Sequence, residues 1–179
     1  MLGPEQSRHT LTRLFQRQSI ADLATLSDAL ETSSRMSVFR RLSALGYLSS
    51  YSHDGRFYTL RDIPPFDQDG LWRYQGVCFS RDGSLKATVE RLVEQSDAGR
   101  THSELHVRLQ VRVHNTLLDL VDGRRIGREP LRGLYLYLSA NPARAESQMI
   151  QRQQQSAEPV QPTPESPAVV VIEVLLDLV

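Results

Sequence analysis

Cysteine, lysine and long apolar runs are scarce in this chain of 179 residues. The single cysteine, Cys78, excludes an internal disulfide and a metal site built from several cysteines, and we expect it to fill an apolar position in a strand. No apolar run approaches the roughly 18 residues of a membrane-spanning helix, and the N-terminus lacks the apolar segment of a signal peptide. These absences favour a soluble, cytoplasmic protein without a membrane partner.

Net charge is also absent, because 21 basic residues balance 21 acidic ones. The balance conceals an asymmetry: residues 1–62 and residues 81–139 each carry a net charge of +2, whereas residues 140–179 carry −3. Every basic residue except Lys86 is an arginine, whose planar guanidinium suits guanine edges and phosphates. A bias in genomic base composition would produce the same preference for arginine. The charge pattern is therefore compatible with nucleic-acid binding without requiring it.

Residues 1–62 carry the hydrophobic pattern of a helix, a short strand, two further helices and a β-hairpin, in that order. The third helix, predicted over residues 35–45, is apolar on one face, and Gly46 offers the left-handed residue that ends it. Asp54-Gly55 between two alternating segments predicts the turn of the hairpin. The buried face of the third helix is predicted to comprise Val38, Leu42 and Leu45.

Residues 72–140 repeat this pattern after a connector. Adjacent prolines forbid a helix in residues 63–71, which we interpret as an inter-domain linker. An offset of 75 residues superimposes the buried positions of the third helix on Val113, Leu117 and Leu120. The pattern also predicts one strand over residues 72–79. It predicts a helix over residues 111–121 that corresponds to the third helix of residues 1–62. The repeat lies in the pattern rather than in residue identity, and it indicates two copies of one architecture.

The C-terminal part of the chain has a different composition. Residues 141–167 are rich in glutamine and proline, and this composition cannot support a core. We therefore expect a helix that begins after Pro142 and gives way to a disordered linker. Residues 168–179 are abruptly apolar, and they would serve as a docking element for a protein partner or as the start of a further domain.

One motif surrounds the third helix. It comprises Ser34, Arg35, Ser37, Val38, Leu42, Leu45, Gly46, Tyr47 and Leu48, followed by the hairpin. This motif resembles the winged helix-turn-helix superfamily of bacterial regulators, including its MarR-like and ArsR-like groups. With the repeat, the resemblance implies an α+β, mainly helical fold of two tandem winged-helix domains, whose third helix enters the DNA major groove. Phe39 replaces the usual small polar residue, and we expect it to pack on the hairpin or on the first helix.

The outer face of the third helix offers groups that suit DNA. Serine and a helix N-terminus favour phosphate oxygens, and arginine can bind guanine through two parallel hydrogen bonds, while the hairpin tip would touch the flanking backbone or the minor groove. The DNA contacts predicted in residues 1–62 are Ser34, Arg35, Ser37, Arg40, Arg41, His53 and Arg56. Those predicted in residues 72–140, where a merely solvated polar surface is an equally natural interpretation, are Arg112, His114, Asn115, Thr116, Arg124 and Arg125.

Signals for catalysis, cofactors and metals are weak. His102 and His106 stand four residues apart on one helical face, as two zinc ligands can, but no third ligand is evident at a useful spacing. The sequence contains no glycine-rich phosphate loop. We therefore expect neither enzyme activity nor a cofactor nor a bound metal.

The leading prediction is a sequence-specific binder of double-stranded DNA, a nucleoid-associated transcriptional regulator that acts as a homodimer or as a monomer spanning two faces of the groove. Two alternatives stay open. The apolar segment at the end of the sequence suggests the DNA-recognition part of a transposase or another mobile-element enzyme. Tandem winged helices also serve as interaction scaffolds in kleisin-associated chromosome-partition proteins.

Overall fold

The computed structural model describes residues 3–157, which fold into seven α-helices and three small antiparallel sheets. This architecture confirms the α+β class. The predictions made for residues 158–167 and 168–179 lie outside the described residues. Within residues 3–157, no helix has both the length and the apolar character needed to cross a bilayer.

The first half of the molecule contains three helices and a three-stranded sheet. Asp22 is the N-cap of the second helix, because its carboxylate accepts a hydrogen bond from the backbone N–H of Thr25 at 2.9 Å. Gly46 ends the third helix with a φ of 74°, a conformation that residues with a Cβ atom rarely adopt. The elements are α1 (Pro4–Arg17), β1 (Ala21–Asp22), α2 (Leu23–Ala29), α3 (Arg35–Leu45), β2 (Tyr47–Ser49) and β3 (Phe57–Leu60).

α1, α2 and α3 enclose the first core. Val38 and Leu42 of α3 are fully buried, and Leu45 packs against the same core while remaining partly exposed. Phe39 lies beside the β-hairpin, with its ring centroid 6.1 Å from that of Tyr47 and 5.4 Å from that of Tyr58. Of the two positions expected for Phe39, the structure therefore confirms the contact with the hairpin.

A second hairpin follows where one strand was predicted over residues 72–79, and that prediction is wrong. The segment forms β4 (Leu71–Tyr74) and β5 (Val77–Ser80), which pair in antiparallel register. Gln75 and Gly76 both have positive φ, which is the geometry of a two-residue hairpin turn. Alternation continues on both sides of this turn, so the pattern alone did not reveal the reversal.

The two halves are joined by direct contacts rather than by a loose connector. Leu48, Val77 and Phe79 form a small buried cluster between the first hairpin and the second. The backbone N–H of Tyr51 donates to the carbonyl of Cys78 at 2.9 Å, and the N–H of Cys78 donates to Ser52 Oγ at 2.9 Å. Cys78 is buried in β5, which confirms its predicted place in a strand.

The second half repeats the order of the first. Its elements are α4 (Leu85–Glu94), β6 (Arg100–Thr101), α5 (His102–Leu109), α6 (His114–Asp122), β7 (Ile126–Leu131) and β8 (Leu134–Ser139). In each three-stranded sheet the third strand lies in the middle, β1-β3-β2 in the first half and β6-β8-β7 in the second. Leu117 and Leu120 of α6 are fully buried, as predicted.

α6 begins at His114 and not at residue 111. Gln110 adopts a left-handed conformation with a φ of 56° and ends α5. The chain needs residues 110–113 to reverse direction, so α6 lacks the first turn that α3 has at the corresponding positions.

α7 (Pro142–Ala157) packs against β8 and confirms the helix expected after Pro142, whereas the disordered linker predicted from residue 141 is wrong for residues 142–157. Gln148 is only 1% exposed. Its side-chain oxygen accepts from the N–H of Ser139 at 2.8 Å, and its amide donates to the carbonyls of Val93 and Ser96, both at 2.8 Å. Arg152 pairs with Glu104 at 2.8 Å. Polar side chains thus fix this helix, and a search for an apolar stripe does not detect them.

Candidate nucleic-acid interface

α3 presents its outer face to solvent because its opposite face is held in the core. Successive residues of an α-helix are rotated by about 100°, so the direction opposite Val38 and Leu42 is occupied by residues near position 40. Met36, Arg40 and Ser43 are exposed and follow one another at i, i+4 and i+7, so they form one row along the helix. We call this set the α3 row.

Arg40 stands in the middle of the α3 row. Its side chain is exposed, and no hydrogen bond or ion pair joins it to any residue in the described part of the chain. Since the guanidinium keeps all five N–H donors for an external ligand, it can bind the O6 and N7 atoms of guanine as a fork. Of the contacts predicted on α3, Arg40 therefore lies most directly opposite the buried face.

Arg35 and Arg41 flank the α3 row instead of belonging to it. The Arg35 guanidinium lies 5.8 Å from the centre of the Phe39 ring, a cation–π arrangement at the edge of the face. Burial raises the pKa of Tyr58, and the positive charge of Arg35 opposes that rise. Arg41 is half buried and lines a depression together with Glu5 of α1. Both guanidinium groups therefore lie beside the α3 row rather than on it.

The N-terminus of α3 is capped and carries no opposing charge. Ser34 Oγ accepts a hydrogen bond from the N–H of Ser37 at 3.3 Å, so the hydroxyl proton of Ser34 stays available to a phosphate oxygen. No acidic residue lies in the first turn of the helix. The positive end of the helix dipole is therefore open to an anion.

The tip of the first hairpin lies in residues 53–56. His53 accepts or donates a hydrogen bond at 2.9 Å with Ser52 Oγ, and its ring meets Phe57 edge-on. Arg56 forms an ion pair of 3.5 Å with Asp54, and both side chains are largely exposed. An exposed pair of this kind costs little to separate, so a phosphate can compete for Arg56.

The second half places its predicted contacts beside acidic residues. On α6 the exposed row at i, i+4 and i+7 consists of Asn115, Asp119 and Asp122. Arg125 is engaged by Glu90 through two hydrogen bonds of 2.7 and 2.6 Å. Arg112, His114 and Arg124 are exposed, and Thr116 is half buried. The two carboxylates oppose a phosphate backbone, so the outer face of α6 does not match that of α3.

The histidines of the second half gather at the start of α5 and α6. The ring centroid of His102 lies 6.1 Å from that of His106 and 6.3 Å from that of His114. Sequence spacing gave no hint that His114 joins the pair, because the contact depends on how α6 packs. Within residues 3–157, however, no group of three or more metal-ligating side chains has a geometry that could hold an ion.

A cleft of about 630 Å³ separates the second hairpin from α5. Several charged groups of its walls are engaged, because Arg108 pairs with Asp67 and Asp69, and Glu104 pairs with Arg152. The hydroxyl of Tyr51 donates to the carbonyl of Leu109 at 3.2 Å, and burial raises the pKa of Tyr51. The Tyr51 hydrogen bond connects the two halves, and Arg108 holds residues 67 and 69 of the predicted linker in place.

Sequence reasoning missed Met36 and Ser43, which the structure places on either side of Arg40. The signal was present in the apolar spacing, since the direction opposite Val38 and Leu42 can be drawn from a helical projection. Polarity alone does not identify this row, because the polar residues Ser37 and Arg41 are half buried beside it.

Comparison with known proteins supplies no relative for this chain: no family model, no curated protein and no solved structure matches it.

Proposed function

We propose that this chain is a sequence-specific binder of double-stranded DNA, built from two tandem winged helices, and that α3 enters the major groove. Two observations support the tandem arrangement: the order of helices and strands repeats, and both sheets place their third strand in the middle. A helix held by two others, followed by a hairpin, is the arrangement that inserts a helix into the groove in helix-turn-helix proteins.

One observation carries the proposal: Arg40 is exposed and has no partner within residues 3–157, at the centre of a helix face whose opposite side is anchored by Val38 and Leu42. Arg40 would bind guanine, while Arg35, Arg41 and Arg56 would neutralise phosphates on either side. The protein would act in transcriptional regulation by occupying its site.

The proposal is tested by selecting bound duplexes from a random pool at a stated salt concentration, because phosphate contacts make affinity salt-dependent. We expect an enriched motif that contains guanine. Arg40→Ala should lower affinity for that motif by about 5- to 150-fold, the range of a lost arginine–guanine fork.

Two control variants separate charge from base recognition. Arg40→Lys keeps the charge but loses the fork, so it should retain non-specific binding and lose the preference for guanine. Arg17→Ala removes one exposed charge from the C-terminal end of α1, which is not on the α3 row, and should change affinity less than twofold. Equal effects of Arg17→Ala and Arg40→Ala, or failure to bind any duplex at low salt, would contradict the proposal.

A second candidate function, protein interaction, is favoured by the second half alone. The tip of the β7–β8 hairpin exposes Leu134 and Tyr135, and the outer row of α6 is acidic. If this tip joins two copies of the chain, sedimentation equilibrium will show a dimer that Leu134→Ser dissociates. A monomer at all concentrations would remove this candidate.

A further inference from the structure

Met36 is the most exposed large apolar side chain in the described part of the molecule, at 82%. It takes no part in the core that anchors α3. A single exposed apolar residue is unremarkable on a protein surface. The position of Met36 is informative, because Met36 lies one helical turn before Arg40 on the α3 row.

The major groove offers one apolar marker that an exposed methionine can bind. The C5-methyl group of thymine projects into the groove at A·T pairs and is absent from the other bases. Methionine is unbranched and polarisable, so it adapts its shape to a small apolar partner. Contact between the two removes apolar surface of both from water.

The spacing of the two side chains fixes where that methyl group would lie. Four residues of helix rise by about 6 Å, whereas successive bases along one strand are about 3.4 Å apart. A thymine touched by Met36 would therefore lie within about two base pairs of the guanine bound by Arg40.

We propose that Met36 is a specificity-determining residue that contacts the C5-methyl group of a thymine within about two base pairs of the guanine bound by Arg40. The inference rests on the proposed function, because it concerns the same face of α3. It adds the identity of a second base and the chemical group by which that base is recognised.

The test uses the full chain and the duplex recovered by the random-pool selection. Each thymine near the Arg40-dependent guanine is replaced in turn by deoxyuridine, which lacks only the methyl group. For the wild-type protein, one replacement should weaken binding about fourfold, the effect of one methyl group taken out of a contact.

The variant Met36→Ala completes a double-mutant cycle with that replacement. It should bind the thymine duplex about as weakly as the wild type binds the deoxyuridine duplex, and it should no longer distinguish the two. Val107→Ala, which trims another exposed apolar residue on α5, should leave both affinities unchanged.

The outcomes separate this inference from the proposed function. If the selected motif depends on Arg40 but contains no thymine near that guanine, the inference is wrong and the proposed function stands. The same holds if wild type and Met36→Ala lose equal affinity on replacement. If no duplex is bound at all, both fall.

Discussion

α3 and α6 occupy equivalent places in the two halves, yet their exposed faces differ in charge. With the offset of 75 residues, Arg40 corresponds to Asn115, and Ala44 corresponds to Asp119. α6 also starts later, so it lacks the turn that carries Met36 in α3. The repeat preserves the buried residues that build the architecture, while the outer faces diverge. Shared architecture is therefore no argument for shared function in the second half.

Core substitutions in α3 and α6 should change stability most, and they test whether the two helices are anchored alike. Leu42 and Leu120 are both fully buried, so replacement of either by alanine should lower the free energy of unfolding by about 2–5 kcal/mol. Chemical denaturation of the full chain measures both losses. Ser43→Ala, on the exposed side of α3, is the matched control and should be nearly neutral. A loss below about 1 kcal/mol for one leucine would show that its helix is not packed as described.

The next effect concerns α7, which packs against β8 of the second half. Gln148→Ala leaves the N–H of Ser139 and the carbonyls of Val93 and Ser96 without their partner, which should cost about 1–3 kcal/mol of unfolding free energy. The exposed neighbour Gln151 provides the control, since Gln151→Ala should not change the denaturation midpoint. Equal midpoints for both variants would mean that α7 adds nothing to stability.

A smaller effect should follow from making α6 resemble α3. The double substitution Asn115→Arg and Asp119→Ala places the residues of the first half at the equivalent positions of the second. Removal of a carboxylate and addition of a guanidinium should raise non-specific DNA affinity several-fold. The slope of log affinity against log salt concentration should steepen by about one. Fluorescence anisotropy over a salt series measures both. No change in the salt slope would indicate that α6 faces away from the bound duplex.

The smallest effect concerns two carboxylates at the N-termini of α2 and α5, the helices that precede α3 and α6. Hydrogen bonds from Thr25 lower the pKa of Asp22 at the start of α2. At the start of α5, burial raises the pKa of Glu104, but hydrogen bonds from Arg152 and Thr101 outweigh it and leave that pKa lowered. A carboxylate whose pKa is lower in the folded state stabilises the protein above its unfolded pKa, and this contribution is lost as pH falls through the folded value.

Stability should therefore decline as pH falls below about 4, because these two carboxylates bind protons in the unfolded state before they do so in the folded state. Asp22→Asn and Glu104→Gln should each reduce the loss of unfolding free energy at acidic pH, measured by urea denaturation at a series of pH values. The double variant should reduce this loss further. An unchanged loss in the double variant would show that other groups control stability in acid.

Much of the fold follows from local rules that the sequence displays. Thr101 and Glu104 form the capping box that their spacing indicates, and the buried spacing of α3 recurs in α6. The β4–β5 turn was not predicted, and α7 extends through residues predicted to be a disordered linker, for different reasons. Alternation does not reveal a reversal at Gln75-Gly76, and the hydrogen bonds of Gln148 depend on groups distant in the chain.

The candidate site was predicted in part, because the position of α3 was predictable but the orientation of its side chains was not fully used. Arg40 was included among the predicted contacts, whereas Met36 was not considered. In the second half, the row formed by Asn115, Asp119 and Asp122 is not evident from composition. These residues share one face of the helix, which a helical projection reveals. The engagement of Arg125 by Glu90 depends on the packing of α4 beside β7 and has no local signal.

Amide chemical-shift mapping of the full chain with the selected duplex tests most directly whether the exposed side of α3 contacts DNA. We expect the largest changes on residues 34–43 and 53–56, and little change on residues 114–122. Changes concentrated on residues 114–122, with α3 silent, would contradict it.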